Sequence, residues 1–288
     1  DARSPPHRAW RRPPRPPPNR APDRVGWWNS LLGIVTLRAF PAIFHRRLRT
    51  RQSLPATYND SVRTFSLQSG SNGNSIYVEA DGVKLLFDAG LSGSTAERRM
   101  AHHGRDIREV HALIISHDHV DHIRGAGVFQ RKFGLPIYVT KPTLAATWCG
   151  LGKLTDVRYF TSGDTLTFGP VKVHTIRTPH DAVDGVVFVV EYDGKRLGIF
   201  TDLGHPFREL HALLESVDAA FLESNYDPDM LETGDYPHQL KERIRGPGGH
   251  LSNGESAGLL RDIGRKRPKW VAVAHLSQEN NLPELAIA

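Results

Sequence analysis

The chain has 288 residues, room for one large domain or two small ones, and a single cysteine, Cys149. One cysteine excludes a disulfide framework and any thiolate metal site. The net charge of +6 does not argue for a nucleic-acid substrate: residues 1–60 hold twelve arginines against three aspartates, which leaves residues 61–288 at −3.

Residues 1–60 read as a separate object. Pro5, Pro6, Pro13, Pro14, Pro16, Pro17, Pro18 and Pro22, interleaved with arginine, exclude helix and a packed core, so a disordered leader is expected. A short apolar segment follows at 27–44, interrupted by Arg38 and Pro41, and no stable membrane span is expected from it. A cytoplasmic location is the default, although an arginine-rich, acid-poor leader leaves organellar or membrane-surface targeting open.

From residue 61 short apolar runs predict strands at 64–68, 76–79, 84–87, 110–115, 136–140, 171–176, 185–192, 196–200, 219–222 and 270–274. Helices are predicted at 95–102, 206–215, 237–245 and 254–263, two of them with capping-box starts, Ser94 with Glu97 and Ser252 with Glu255. The stretch 142–149 also reads as helical, with Cys149 as a small core residue. Ten strands with few helices favour two sheets packed together with helices outside, in one domain at 61–288.

The chemistry concentrates just after strands. Residues 117–122 place His117, His119, Asp121 and His122 within six positions, beyond the predicted strand at 110–115. A helix cannot bring all four to one point, but a loop leaving a strand can, and open α/β sheets put their ligands beyond the carboxyl ends of strands. Imidazole with carboxylate suits zinc, manganese or iron. Asp88 follows 84–87, His180 follows 171–176, Asp202 follows 196–200 and His275 follows 270–274, a recurrence that core packing does not explain.

In order, Asp88, the 117–122 hexad, His180, Asp202 and His275 resemble the five motifs of the metallo-β-lactamase superfamily, over nearly all of residues 64–285. The resemblance implies an α/β fold, an αββα four-layer sandwich, with two divalent metal ions in a cleft at the sheet edges. It implies that His117, His119 and His180 hold the first metal, that Asp121, His122 and His275 hold the second, and that Asp202 bridges them. Asp88 would orient the site by hydrogen bonds rather than ligate. Two such ions roughly 3.5–4 Å apart share a hydroxide at neutral pH, and no serine constellation competes, so hydrolysis is expected.

Glu223 and His250 form a second constellation that resembles the Glu and His-Ser-Thr motifs of tRNase Z-type phosphodiesterases. There a Glu-supported His stabilises or protonates the leaving oxygen, and such an acid contributes on the order of 10²–10⁴ in rate. That role for His250 favours phosphodiesters; ligation by His250 in place of His275 stays open. Segments 65–74, 222–225, 236–246, 249–253 and 274–277, with Asn280 and Asn281, are similar to the YycJ/WalJ-like branch. That likeness implies a metal-dependent 5′→3′ DNA exonuclease linked to replication or repair. Tyr226 stands where the branch leads one to expect His, and the basic leader is outside its pattern.

Only 22 positions separate His180 from Asp202 and 48 separate Asp202 from His250, too few for the tRNA-gripping arm of tRNase Z or the inserted domain of β-CASP nucleases. The alternative is a small-molecule phosphodiesterase or lactonase of the same fold. For substrate grip the sequence offers the glycine-containing loop 69–74, as a phosphate cradle or a tight turn. It also offers two basic clusters, Lys241, Arg243 and Arg245, then Arg261, Arg265, Lys266, Arg267 and Lys269, as a backbone track or a solvated face. His102, His103, His111, His174, His205, His211 and His238 are assigned to surface or packing.

Overall fold

The computed structural model describes residues 35–37, 62–147, 150–263 and 268–288. The proline-rich leader other than 35–37, Cys149, and the cluster members Arg265, Lys266 and Arg267 lie outside the described residues. The first half of the domain builds a seven-stranded sheet whose spatial order is the chain order: β1 (Val35–Leu37), β2 (Val62–Gln68), β3 (Ser75–Ala80), β4 (Val83–Phe87), β5 (Ala112–Ile114), β6 (Ile137–Thr140) and β7 (Val157–Phe160). Pairing is antiparallel from β1 to β4 and parallel from β4 to β7. Parallel neighbours need crossovers, supplied by α1 (Gly93–His102), α2 (Val120–Ile123), α3 (Ala126–Phe133) and α4 (Lys141–Ala146).

The second half builds a six-stranded sheet from β8 (Thr165–Phe168), β9 (Val171–Arg177), β10 (Val186–Tyr192), β11 (Lys195–Phe200), β12 (Ala219–Glu223) and β13 (Trp270–Ala274), in the reverse of chain order. β8 to β11 are antiparallel; β11, β12 and β13 are parallel. Helices α5 (Arg208–Ser216), α6 (Pro228–Thr233), α7 (His238–Arg245) and α8 (Asn253–Asp262) fill the two crossovers, and α9 (Pro283–Ala286) follows β13. Among the described residues no helix is long and apolar enough to cross a membrane.

Strand side chains alternate between faces, and here both faces are apolar. Ile76, Val78, Leu85, Phe87 and Ile114 meet Val173, Phe188, Val190, Ile199 and Phe221 between the sheets, with the Phe87 and Phe188 rings 5.0 Å apart. Tyr77, Leu86 and Leu113 face the other way, onto Ala96, Met100, Phe129 and Phe133 of α1 and α3. Val187, Val189, Phe200 and Ala220 likewise face Leu210, Leu214 and Leu259 of α5 and α8. The result is the expected αββα four-layer sandwich.

All ten predicted strands are present. The differences have local causes. β5 is shorter than 110–115 because a 3₁₀ turn at Ile107–Glu109 precedes it and closes on Val110. β7 and β8 escaped prediction because they are short and half exposed, without an apolar run. The α1 cap is Ser92, which accepts a hydrogen bond from Thr95 N, and not Ser94; Glu97 faces Arg108 and Lys132 instead. At α8 the expected capping box between Ser252 and Glu255 is complete. Inside the segment expected to lack structure, Val35–Leu37 pairs with residues 62–64, since the outer edge of β2 offers unpaired backbone groups.

Topology sets the position of the site. β9, β11, β12 and β13 run in one direction, so residues after each of them emerge at one edge of the second sheet. β4 and β5 likewise point together in the first sheet.

Candidate active site

Three strand-end residues turn sharply out of their strands. Asp88 after β4, Asp202 after β11 and His275 after β13 have φ of 66°, 59° and 57°. Among the described residues only Asp81 and Asp193, both in hairpin turns, share this left-handed backbone outside glycine. Such a conformation costs of order 1–3 kcal/mol for a residue with a Cβ and concentrates at sites where direction matters. Here it swings a carboxylate or imidazole across the strand ends. Backbone bonds lace the neighbouring loops together: Asn74 N to Asp121 O (2.8 Å), Gly90 N to Asn74 O (2.9 Å) and Ala89 N to His122 O (2.7 Å).

The sequence-selected residues converge. His117, His119 and His180 present ligand atoms within 4.8 Å of one another, as do Asp121, His122 and His275. Asp202 joins His117 and His122 in a third such group, and Asp202, Glu223, His250 and His275 make a fourth. Most imidazoles are anchored through Nδ1. His122 Nδ1 lies 2.7 Å from Asp88 Oδ2, His180 Nδ1 donates to Gly249 O at 2.8 Å, and His117 Nδ1 lies 2.8 Å from Ser116 Oγ. Glu223 is fully buried: Oε1 accepts from His250 Nδ1 (2.8 Å) and His275 Nδ1 (3.0 Å), and Oε2 from Leu203 N (2.9 Å) and Leu251 N (3.2 Å). The two histidines differ in surroundings. His275 is enclosed, with Nε2 3.4 Å from Asp121 Oδ2, whereas the His250 side chain is 20 % exposed at the mouth of the cluster.

Electrostatics follow from this crowding. Burial, with the neighbouring His122, His180 and His119, holds His117 well below the ordinary imidazole range. Burial also opposes protonation of His122, but Asp202, Asp121 and Asp88 outweigh it and hold His122 well above that range. The same competition, with Asp202, Asp121 and Glu223 prevailing, pushes His275 up to about 10. Burial would raise Asp121 and Glu223, yet the facing imidazoles hold both below the usual carboxylate range: His122 and His275 for Asp121, His250 and His275 for Glu223.

The donor set fits divalent cations. His117 Nε2 is buried with no hydrogen-bond partner, an expensive arrangement for a polar atom, and buried Asp202 Oδ2 makes no hydrogen bond but faces His122 Nε2 at 3.2 Å. Both point among the grouped ligand atoms, and Nδ1 anchoring that leaves Nε2 facing inward is the support that ligating imidazoles use. Oxygen and nitrogen donors with no thiolate suit zinc, manganese or iron alike.

Several contributors were not singled out from sequence. Ser116 donates from N and Oγ to Asp88 at 2.7 and 2.8 Å. Asn74, the last residue of the glycine-containing loop, places Nδ2 3.1 Å from Asp121 Oδ2. That loop makes a tight turn, closed by Gly73 N to Gly70 O at 2.8 Å. Asn225 donates Nδ2 to His275 O at 2.7 Å, and Asp181 lies against His119 and His180. Adjacency to ligands in the sequence would have flagged Ser116 and Asp181; nothing local flags Asn74 or Asn225. Of the histidines left to packing, His103 stacks on Phe65 at 4.0 Å.

Comparison with known proteins gives a family model, described as Metallo-beta-lactamase superfamily, that matches residues 69–275. The exodeoxyribonuclease YycJ of Bacillus anthracis is 36% identical over 222 residues, 76% of this chain and 84% of that protein. The exodeoxyribonuclease WalJ of Streptococcus pneumoniae serotype 2 is 38% identical over 225 residues, 76% of this chain and 83% of that protein. The metallo-beta-lactamase fold protein YhfI from Bacillus subtilis superposes with a TM-score of 0.61 at 17% identity, covering 78% of this chain and 90% of that one.

Proposed function

The chain belongs to the metallo-beta-lactamase superfamily and is a metal-dependent hydrolase, and from that premise we propose that it cleaves phosphodiester bonds as a 5′→3′ DNA exonuclease. The observation that carries the proposal is the Glu223–His250 pair: a buried carboxylate 2.8 Å from an imidazole that is partly open beside the grouped ligands. A poor alkoxide leaving group needs such an acid, whereas an amine or thiol needs it less. The relatives named exodeoxyribonucleases, matched over more than four-fifths of their length, support the choice of DNA.

In this reading His117, His119 and His180 would hold one cation and Asp121, His122 and His275 a second, with Asp202 available to both; zinc and manganese suit the donors, with iron the third option. When bound, divalent cations neutralise a phosphodiester and bring the pKa of water to about 7. Asp88 accepts a hydrogen bond from His122 Nδ1 and keeps Nε2 inward. Glu223 accepts likewise from Nδ1 of His250 and His275, and His250, so oriented, gives a proton to the departing sugar oxygen. His275, enclosed beside Asp121, serves as the ligand of the two. A cytoplasmic site of action belongs to the same reading.

The test is a time course on 5′-end-labelled duplex DNA with manganese or zinc. Wild type is expected to release 5′ nucleotides progressively, Asp121→Ala to release none, and His250→Ala to slow by about 10²–10⁴ with its metal content retained. Intact DNA in every lane with metal-loaded protein would overturn the proposal in favour of a small ester substrate.

A further inference from the structure

Beside the ligand groups the loop after His180 is pinned at both ends. Asp181 N donates to Gly248 O at 2.9 Å, and Val183 N donates at 3.1 Å to Oδ1 of Asp118, the hexad aspartate outside the ligand groups. So held, the Asp181 carboxylate puts Oδ1 3.5 Å from His119 Nε2 and 3.6 Å from His180 Nε2, and Oδ2 2.6 Å from Arg243 Nε. One carboxylate therefore separates an arginine on α7 from two imidazoles of the first group.

The three basic residues of α7 are not equivalent. Lys241 donates to the carbonyl of Glu232, and Arg245 pairs through Nη2 with Glu232 Oε2 at 2.7 Å and through Nε with Glu242 at 3.4 Å. Both are turned toward α6 or their own helix. Arg243 alone turns toward the ligand groups, and its side-chain hydrogen bond among the described residues is made from its Nε edge. Its side chain is 57 % exposed. Nε tethering fixes the plane of the guanidinium without using its Nη fork, the geometry that grips a phosphate through two parallel bonds. The last turn of α7 also packs directly on the loop that carries His250, whose N–H donates to Ile244 O at 2.9 Å. A Cβ on Gly249 would stand 2.0 Å from that same carbonyl, so the contact is backbone on backbone.

We propose that Arg243, tethered by Asp181, is a specificity-determining residue that grips the phosphate adjacent to the scissile one, so that the site selects substrates with two neighbouring phosphates. The inference rests on the phosphodiesterase reading. Successive phosphates along a strand are one nucleotide apart (about 3.4 Å of helix rise), so a phosphate at the ligand groups brings the next toward the rim where Asp181 holds Arg243. A substrate with one phosphate leaves the fork unused.

The probe pair is thymidine 3′,5′-bisphosphate and thymidine 5′-monophosphate, titrated calorimetrically into the manganese-loaded full chain. Wild type is expected to bind the bisphosphate about ten- to hundredfold more tightly. Arg243→Ala should erase that ratio with monophosphate affinity and metal content unchanged. Arg243→Lys should recover part of it, because an ammonium supplies charge without the fork; Arg245→Ala should keep it whole. Equal binding of the two nucleotides by wild type, or an undiminished ratio in Arg243→Ala, would overturn the inference. Because the readout is binding, DNA left intact by wild type would sink the exonuclease reading alone, while this titration would still decide the role of Arg243.

Discussion

His122 and His275 are surrounded by carboxylates that hold protons on them, His275 up to about 10 and His122 well above the usual imidazole range. Both are therefore protonated near pH 7 while no cation is bound, and a cation that takes their Nε2 must displace those protons. The sign follows: apparent metal affinity rises with pH toward that value and falls on acidification, about tenfold per pH unit for each proton displaced. Chelator-competition titrations with zinc at pH 6 and pH 8 are expected to differ by at least about a hundredfold, and equal affinities would contradict the electrostatics. At this scale the clustered residues were legible in the sequence because histidine and aspartate directly after apolar runs have few other uses. Asn74 and Asn225 were not, because an asparagine gains its role only from what stands across from it. The choice between His250 and His275 was also illegible: both touch Glu223, and only their enclosure differs.

Elements owe their sharp corners to particular backbones. A Cβ on Gly90, just past β4, would stand 1.6 Å from Asp121 O and 2.5 Å from Asn74 N, so no side chain fits without moving the loop that carries Asp121. Gly90→Ala is expected to lower Tm by several degrees, for an overpacking cost of about 1–3 kcal/mol or more, and to lose close to one metal equivalent. Gly254→Ala in the first turn of α8, where a Cβ meets nothing, is the control and should leave Tm level or slightly raised. Melting curves with metal analysis check both; unchanged metal content in Gly90→Ala would show that the loop yields freely. Strand recognition succeeded where strands are buried on both faces and read as apolar runs. It failed at β7 and β8, whose exposed positions carry arginine, tyrosine and threonine. Helices α3 and α4 were missed or blurred because glycine, threonine and proline weaken their local signal although tertiary contacts hold them.

For the whole molecule, the four layers close over the described residues from 62 onward, and β1 adds only three paired residues at the edge of β2. Deleting residues 1–60 is therefore expected to leave the hydrolase domain folded and metal-competent, with Tm within about 5 °C of the full chain. Loss of solubility or of metal in that deletion would make the leader part of the domain. By itself the sequence determined the layered fold and which residues gather at the strand ends, because apolar runs and the histidines and aspartates that follow them are local features of the chain. Only the tertiary structure decided which nitrogen of each imidazole faces inward, which carboxylate sets its charge, and that Arg243 rather than Lys241 or Arg245 turns to the cleft. Those properties depend on distances of a few ångströms between residues far apart in the chain, and such distances exist only once the two sheets have packed.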